Sequence, residues 1–194
     1  MFITLARESI VAVDVKTGKL LWTHPHPSTC DQNVTSPVYH DGCVVVSSGH
    51  KGGSRMVRIN PDGRSVREVW FGTDLDNCHG GIVLLDGYVY GSGCRLYRKG
   101  LVCVEFATGR TAFTAPEIGK MSVTFADGRL YCFGNEGWMA LVEVTPQRAE
   151  VISKFTPQWP ERPPCLAHPV VCGGKLYLRH LNTLLVYELR AGAN

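Results

Sequence analysis

The amino-acid sequence predicts an all-β protein, a β-propeller built from four-stranded antiparallel blades. Three observations lead there: a hairpin that recurs four times, a second strand pair after each of them, and no long window of helical periodicity.

The hairpins read SPVYHDGCVVVSSG from Ser36, GIVLLDGYVYGSG from Gly81, SVTFADGRLYCFG from Ser122 and HPVVCGGKLYLRH from His168. Asp-Gly or Gly-Gly between apolar strands is a strong hairpin signal, because these residues tolerate the positive φ of a primed turn. The turn glycines Gly42, Gly87, Gly128 and Gly174 are separated by 45, 41 and 46 residues. The second element reads IVAVDVKTGKLLW from Ile10, MVRINPDGRSVREVW from Met56 and LVCVEFATGRTAF from Leu101, with a degraded copy from Met139. Each copy ends near an aromatic residue, Trp22, Trp70, Phe113 and Phe155. Two hairpins per period make a four-stranded unit, the length of a propeller blade and a poor fit to leucine-rich or helical repeats. An immunoglobulin-like sandwich would use similar strands but would not repeat the same pair of hairpins in register.

Three complete blades follow, Val34–Phe71, His79–Ala115 and Lys120–Thr156, between two partial ones. The first opens with a strand at Phe2–Leu5 and lacks an innermost strand; the last begins at Leu166 and supplies three strands ending near Leu189. Residues 1–194 therefore read as a single domain, an open or incomplete propeller and the C-terminal part of a larger one. Unpaired edges favour association, so the expected partners are the remaining blades, another protein or a second copy.

Composition narrows the function classes. Hydrophobic residues make up 44% and charged residues 19%, which excludes disorder. The formal charge of +3 with no basic run gives no reason to expect a nucleic-acid partner. No stretch is long and apolar enough to predict a membrane span, and Met1–Arg7 is too short for a signal-peptide core. Eight cysteines contain no C-x-x-C pair, and Cys43, Cys103 and Cys132 lie in strand runs, which reads as structural thiols; a Cys94–Cys103 disulfide across a loop is the alternative.

The segment Ala12-Val-Asp14-Val-Lys-Thr17-Gly18-Lys-Leu-Leu-Trp22 resembles the tryptophan-docking motif of the pyrroloquinoline quinone (PQQ)-type repeat, with Leu20 where that motif has Glu. Asp14 and Thr17 are suited to tying the turn, Gly18 to its dihedral, and Trp22 to packing between blades. Asn77–Gly81, Phe125–Tyr131 and Ala167–Val170 are similar to bacterial PQQ-binding-like repeat proteins of the quinoprotein alcohol dehydrogenase-like class. The resemblance implies a propeller and an exported or periplasmic setting. It spans enzymes and non-catalytic scaffolds, including a lipoprotein of outer-membrane protein assembly.

In the enzymes of that class, the resemblance implies PQQ in the axis with Ca²⁺, held by Glu and Asn, an Asp base and a neighbouring Cys-Cys pair. This chain has no Cys-Cys pair, and Asp41, Asp86 and Asp127 fall in turns. The first reading is therefore a non-catalytic binding or scaffold module; the alternative is part of a PQQ-dependent alcohol or sugar dehydrogenase. The rim candidates are His79, His168 and Cys78. One reading makes them ligands of Zn²⁺ or Cu; the other has each His hydrogen-bond a neighbouring blade's backbone, with the glycines allowing close approach. Gly49–Ser54 reads as a hairpin loop lacking Walker spacing, Asn33-Val34-Thr35 as a chance glycosylation match, and Pro157–Pro164 as an extended connector between blades.

Overall fold

In the computed structural model, which describes residues 1–28, 33–94 and 100–189, strands form five antiparallel sheets packed in sequence order. The first has three strands, β1 (Phe2–Leu5), β2 (Ser9–Val13) and β3 (Leu20–Pro25). The second has four, β4 (Val38–His40), β5 (Cys43–Ser48), β6 (Gly53–Ile59) and β7 (Val66–Gly72). The third comprises β8 (Ile82–Leu85), β9 (Tyr88–Ser92), β10 (Leu101–Glu105) and β11 (Thr111–Ala115). The fourth comprises β12 (Met121–Ala126), β13 (Arg129–Gly134), β14 (Met139–Val144) and β15 (Ala149–Phe155). The fifth has β16 (Val170–Cys172), β17 (Lys175–His180) and β18 (Thr183–Glu188). The chain is a β-propeller arc of three complete and two partial blades, as its repeats predict.

The turn chemistry sets the register. Asp41, Asp86 and Asp127 take φ of 45°, 47° and 48°, and the glycines after them 73°, 80° and 76°, the paired left-handed geometry of a primed hairpin turn. The strands then bury alternate residues against opposite neighbours. In β5, Val44 and Val46 join Leu5, Ile10, Ala12 and Trp22 of the first blade, while Cys43 and Val45 join Leu75 of the following connector and Ile82 and Val89 of the third blade. Leu101 and Cys103 meet Met121, Val123 and Leu130 between the third and fourth blades, and Phe133 and Met139 meet Leu176 and Leu178 between the fourth and fifth.

One regularity escapes the sequence pattern. In four blades the outer hairpin carries a register shift, at Ala12/Val13, Met56/Val57, Cys103/Val104 and Leu141/Val142. The bulge sets Trp22 opposite Ala12, Trp70 opposite Met56 and Phe113 opposite Cys103. In the fourth blade the same place, opposite Leu141, holds Ser153, so Phe155 is not the equivalent of the other three aromatics. It lies two residues further on and still bridges to the fifth blade, with its ring 5.1 Å from that of Tyr187.

Trp159 anchors the 157–164 connector, its Nε1 donating to the Gly137 carbonyl at 2.9 Å and its ring lying against Phe133 and His180. Gly49–Ser54 spans the β5–β6 hairpin loop, as read from the sequence. Cys30 lies outside the described residues.

His26 is enclosed between the first two blades, with Nε2 2.8 Å from Ser48 Oγ. Burial, reinforced by the positive charges of Arg55 and His24, pulls its imidazole down to about 4. An unfolded histidine titrates near 6.5. Above that pH both states are neutral; as pH falls from about 6.5 towards 4 the unfolded chain takes the proton first, and stability declines by up to about 3 kcal/mol. Urea midpoints at neutral pH and near pH 4 should show this loss in the wild type and a smaller one in His26→Gln. Equal pH dependence in both proteins would refute the assignment.

Candidate functional site

Because each blade is a simple meander, two kinds of segment collect at one end of the sheets: the connectors entering each innermost strand and the loops between second and third strands. That end carries the polar cluster, around residues 47–54, 75–81, 92–94, 120, 135 and 168.

The chain lines this end with buried polar groups that satisfy one another across blades. Ser54 Oγ donates to the Leu75 carbonyl at 2.6 Å, and the Asn77 amide N–H to Ser47 Oγ at 2.9 Å. Thr35 Oγ1 donates to Asn77 Oδ1 at 2.8 Å, and Asn77 Nδ2 to the Ser92 carbonyl at 3.0 Å. These cross-blade hydrogen bonds fix the loops that carry the rim side chains.

His168 makes a hydrogen bond to backbone, whereas the partner of His79 is the Asn135 side chain. His168 Nε2–H donates to the His79 carbonyl at 2.9 Å, tying the fifth blade to the third. Its ring lies over Gly81, where a Cβ would fall 2.5 Å from Cε1, and Gly81 has φ of +72°. A Cβ at Gly80 would fall 2.1 Å from the Met121 carbonyl oxygen, while the Gly80 carbonyl accepts from the Val123 amide at 2.8 Å. The glycines therefore permit the close approach of the third and fourth blades. His79 Nε2–H donates to Asn135 Oδ1 at 3.2 Å; its pKa is lowered, chiefly by burial and further by Lys120 and His168. Gly80→Ala should push the two blades apart and cost about 1–3 kcal/mol, read as a lowered urea midpoint; an unchanged midpoint would contradict the close packing.

Cys78 is bonded to Cys94, 16 residues away, so the sulfurs read from sequence as free structural thiols include one disulfide. The partner of Cys94 is not Cys103. Cys103 sits within β10 opposite Tyr90, deep between strands, whereas Cys94 lies beyond the end of β9, a strand's length away. The signal that finds the pair is its near-symmetry about the Asp86–Gly87 turn, which folds the two flanks of the β8–β9 hairpin together. Within the described residues, the cluster of metal-type donors is His50, Cys78 and Cys94 rather than Cys78, His79 and His168. The sequence reading missed His50. Lys120 Nζ lies 3.6 Å from Cys94 Sγ, and Asp76 Oδ1 accepts the Cys94 amide at 2.9 Å. These donors are nitrogen and sulfur, whereas Ca²⁺ requires six to eight oxygens; the cluster does not fit the Ca²⁺ of a quinoprotein.

The docking motif occupies the opposite end. Asp14 Oδ1 accepts from the Thr17 amide at 2.8 Å, Thr17 Oγ1 at 2.9 Å and the Lys16 amide at 2.9 Å, and these donors hold its carboxyl below the usual range. Glu105 and Thr108 rebuild the turn in the third blade, with Thr108 Oγ1 donating to Glu105 Oε2 at 2.6 Å. In the second blade the aromatic residue docks on the next blade's turn. Trp70 Nε1 donates to the Phe106 carbonyl at 2.8 Å, and its indole covers Gly109 so closely that a Cβ there would lie 2.5 Å from Cδ2. Ala12 and Trp22 are buried against the second blade, whereas Gly18 has nothing within 4 Å of its Cβ position.

A family model described as outer membrane protein assembly factor BamB matches residues 1–115. BamB from Moraxella catarrhalis superposes with a TM-score of 0.65 at 15% identity, over 92% of this chain and 55% of its own. The computationally designed Ika8 protein gives 0.63 at 15%, over 96% and 55%. The N-terminal domain of Nup159 gives 0.58 at 11%, over 91% and 48%. This chain thus spans about half the length of these structures. No curated protein sequence matches it. No helix among the described residues is long and apolar enough to cross a membrane.

Proposed function

We propose, from the premise that this chain belongs to the family described as outer membrane protein assembly factor BamB, that it is a non-catalytic, protein-binding propeller module that works as part of a larger ring. The observation that carries this is the open docking seat on the first blade. The Asp14–Lys19 turn is built like the one that receives Trp70 on the third blade, yet Gly18 is uncovered. It is a ready acceptor for an aromatic residue from an adjoining blade.

Neighbouring features agree with this. Among the described residues, β1 pairs only with β2, and β18 only with β17. Beside β1 lies an apolar groove of about 620 Å³, lined by Met1, Ile3, Pro37, Tyr39, Val44 and Ile59 among others. The outward faces of the terminal blades expose Phe2 and Leu20 at one end and Val170, Leu184 and Val186 at the other. A disulfide suits an oxidising, exported setting. The family description supports proteins of outer-membrane assembly as the partner class.

Light scattering across a concentration series should show self-association of the isolated chain, weakened by Leu20→Lys together with Leu184→Lys. A monomer at every concentration, unfolding in one cooperative step, would refute the larger ring. Catalysis is tested separately, by supplying PQQ and Ca²⁺ with a dye acceptor and an alcohol or glucose. No dye reduction is expected, and turnover that tracks bound quinone would establish the dehydrogenase reading instead.

A further inference from the structure

The cluster at the blade-connecting end has a chemistry that a scaffold does not need. Three segments converge there: the β5–β6 loop with His50, the connector before β8 with Cys78, and the end of the β8–β9 hairpin with Cys94. The ring nitrogen of His50 and the two sulfurs all lie within 4.8 Å of one another. In a tetrahedral zinc site, sulfur and nitrogen ligands at about 2.0–2.3 Å from the ion stand about 3.3–3.8 Å apart. In the oxidised state the two sulfurs are bonded, so they must part to that spacing when the bond opens, with the His50 ring nitrogen already within 4.8 Å of both.

Its surroundings are built for the sulfurs. A Cβ at Gly49 would lie 2.3 Å from Cys78 Sγ and 3.1 Å from Cys94 Sγ, so the bare backbone at that residue is what lets the loop lie on the pair. The next two residues, His50 and Lys51, hold left-handed backbone, with φ of 51° and 80°. A non-glycine residue pays a conformational cost for that geometry, and such residues concentrate at functional sites. Lys120 Nζ lies 3.6 Å from Cys94 Sγ. Asp76 fixes the Cys94 backbone through its amide N–H. Cys78 and Cys94 are buried while His50 is half-buried.

We propose that Cys78, Cys94 and His50 form a redox-gated site for Zn²⁺: a closed disulfide when oxidised, and a two-thiolate, one-imidazole metal site when reduced. A dithiol supplies two electrons and two protons, the sulfur–sulfur bond breaks, two thiols form, and the dithiol becomes its own disulfide. Zn²⁺ then displaces the two thiol protons to water, and a water molecule fills the fourth position. The inference does not depend on the larger ring.

Co²⁺ is the spectroscopic probe, titrated into the whole chain without oxygen, before and after reduction by a phosphine. Reduced protein should bind a single equivalent with thiolate-to-cobalt charge transfer and tetrahedral ligand-field bands, which Zn²⁺ bleaches; oxidised protein should show neither. His50→Ala keeps the disulfide and should weaken Co²⁺ binding at least about tenfold, and Cys78→Ser should abolish the charge-transfer band. Absence of the bands from reduced wild type, or unchanged Co²⁺ affinity in His50→Ala, would overturn the proposal. Should Cys78→Ser fail to fold, the His50→Ala comparison decides.

Discussion

Trp70→Ala is expected to lower the folding stability by about 3–5 kcal/mol, among the largest losses available to a single side chain here. Trp70 lies on the outer strand of the second blade but packs and hydrogen-bonds onto the third. Its indole is 9% exposed, packs with Val102, Val104 and Phe106, and lies flat on Gly109. Truncation opens a cavity between blades and strips the Phe106 carbonyl of the 2.8 Å hydrogen bond from Nε1. Trp70→Phe separates the two contributions, since it keeps most of the ring and loses the donor, with about 0.5–1.5 kcal/mol attributable to the hydrogen bond. Trp22 supplies the internal control. It is 6% exposed, but its Nε1 has no acceptor among the described residues, so Trp22→Phe should cost less than Trp70→Phe. Urea midpoints for the variants measure all of this. Equal costs for the two Trp→Phe changes would show that the docking bond contributes nothing.

That pair of tryptophans also marks where the sequence is legible. The Asp-Gly turns could be read because positive φ at two successive residues is a local demand that few residue types meet. The Asp14–Thr17 turn could be read for the same reason, its side-chain hydrogen bonds being three residues apart. The seat of Trp70 on the following blade was not legible, because it depends on how two sheets stack rather than on either repeat alone. The bulges before Trp22, Trp70 and Phe113 left no mark in the hydrophobic pattern, and without them Phe155 passed for a fourth copy of the docking residue. At the candidate site, His79 and His168 could be placed at the inner-strand starts by aligning turns. His50 could not, since its relation to Cys78 is set by the packing of the second blade on the third. The disulfide fell between these cases. Its two cysteines lack a short motif, yet they flank a turn whose register was already readable.

Opening the Cys78–Cys94 bond is expected to cost about 3 kcal/mol, the loop-closure value for a bridge of this span, whose cysteines are 16 residues apart. The bond closes the flanks of the β8–β9 hairpin, at the junction where the Gly49 loop of the second blade rests on Cys78. Losing it should therefore loosen one blade and its contact with the next. A reducing agent tests this cleanly because the other described cysteines are already thiols. Burial pushes the Cys103 thiol up to about 11 and Cys132 up to about 12, so neither competes as a thiolate near neutral pH. The urea midpoint should fall on reduction, and the Cys78→Ser, Cys94→Ser double variant should start low and ignore the reductant. Zn²⁺ then distinguishes a plain staple from a gated site. A cation held only by the folded, reduced protein adds about 2.7 kcal/mol at one hundred times its Kd, restoring most of what reduction removed. The same addition should leave the oxidised protein and the double variant unmoved. A midpoint that falls on reduction and stays down with Zn²⁺ would leave the disulfide as a covalent staple and remove the metal site.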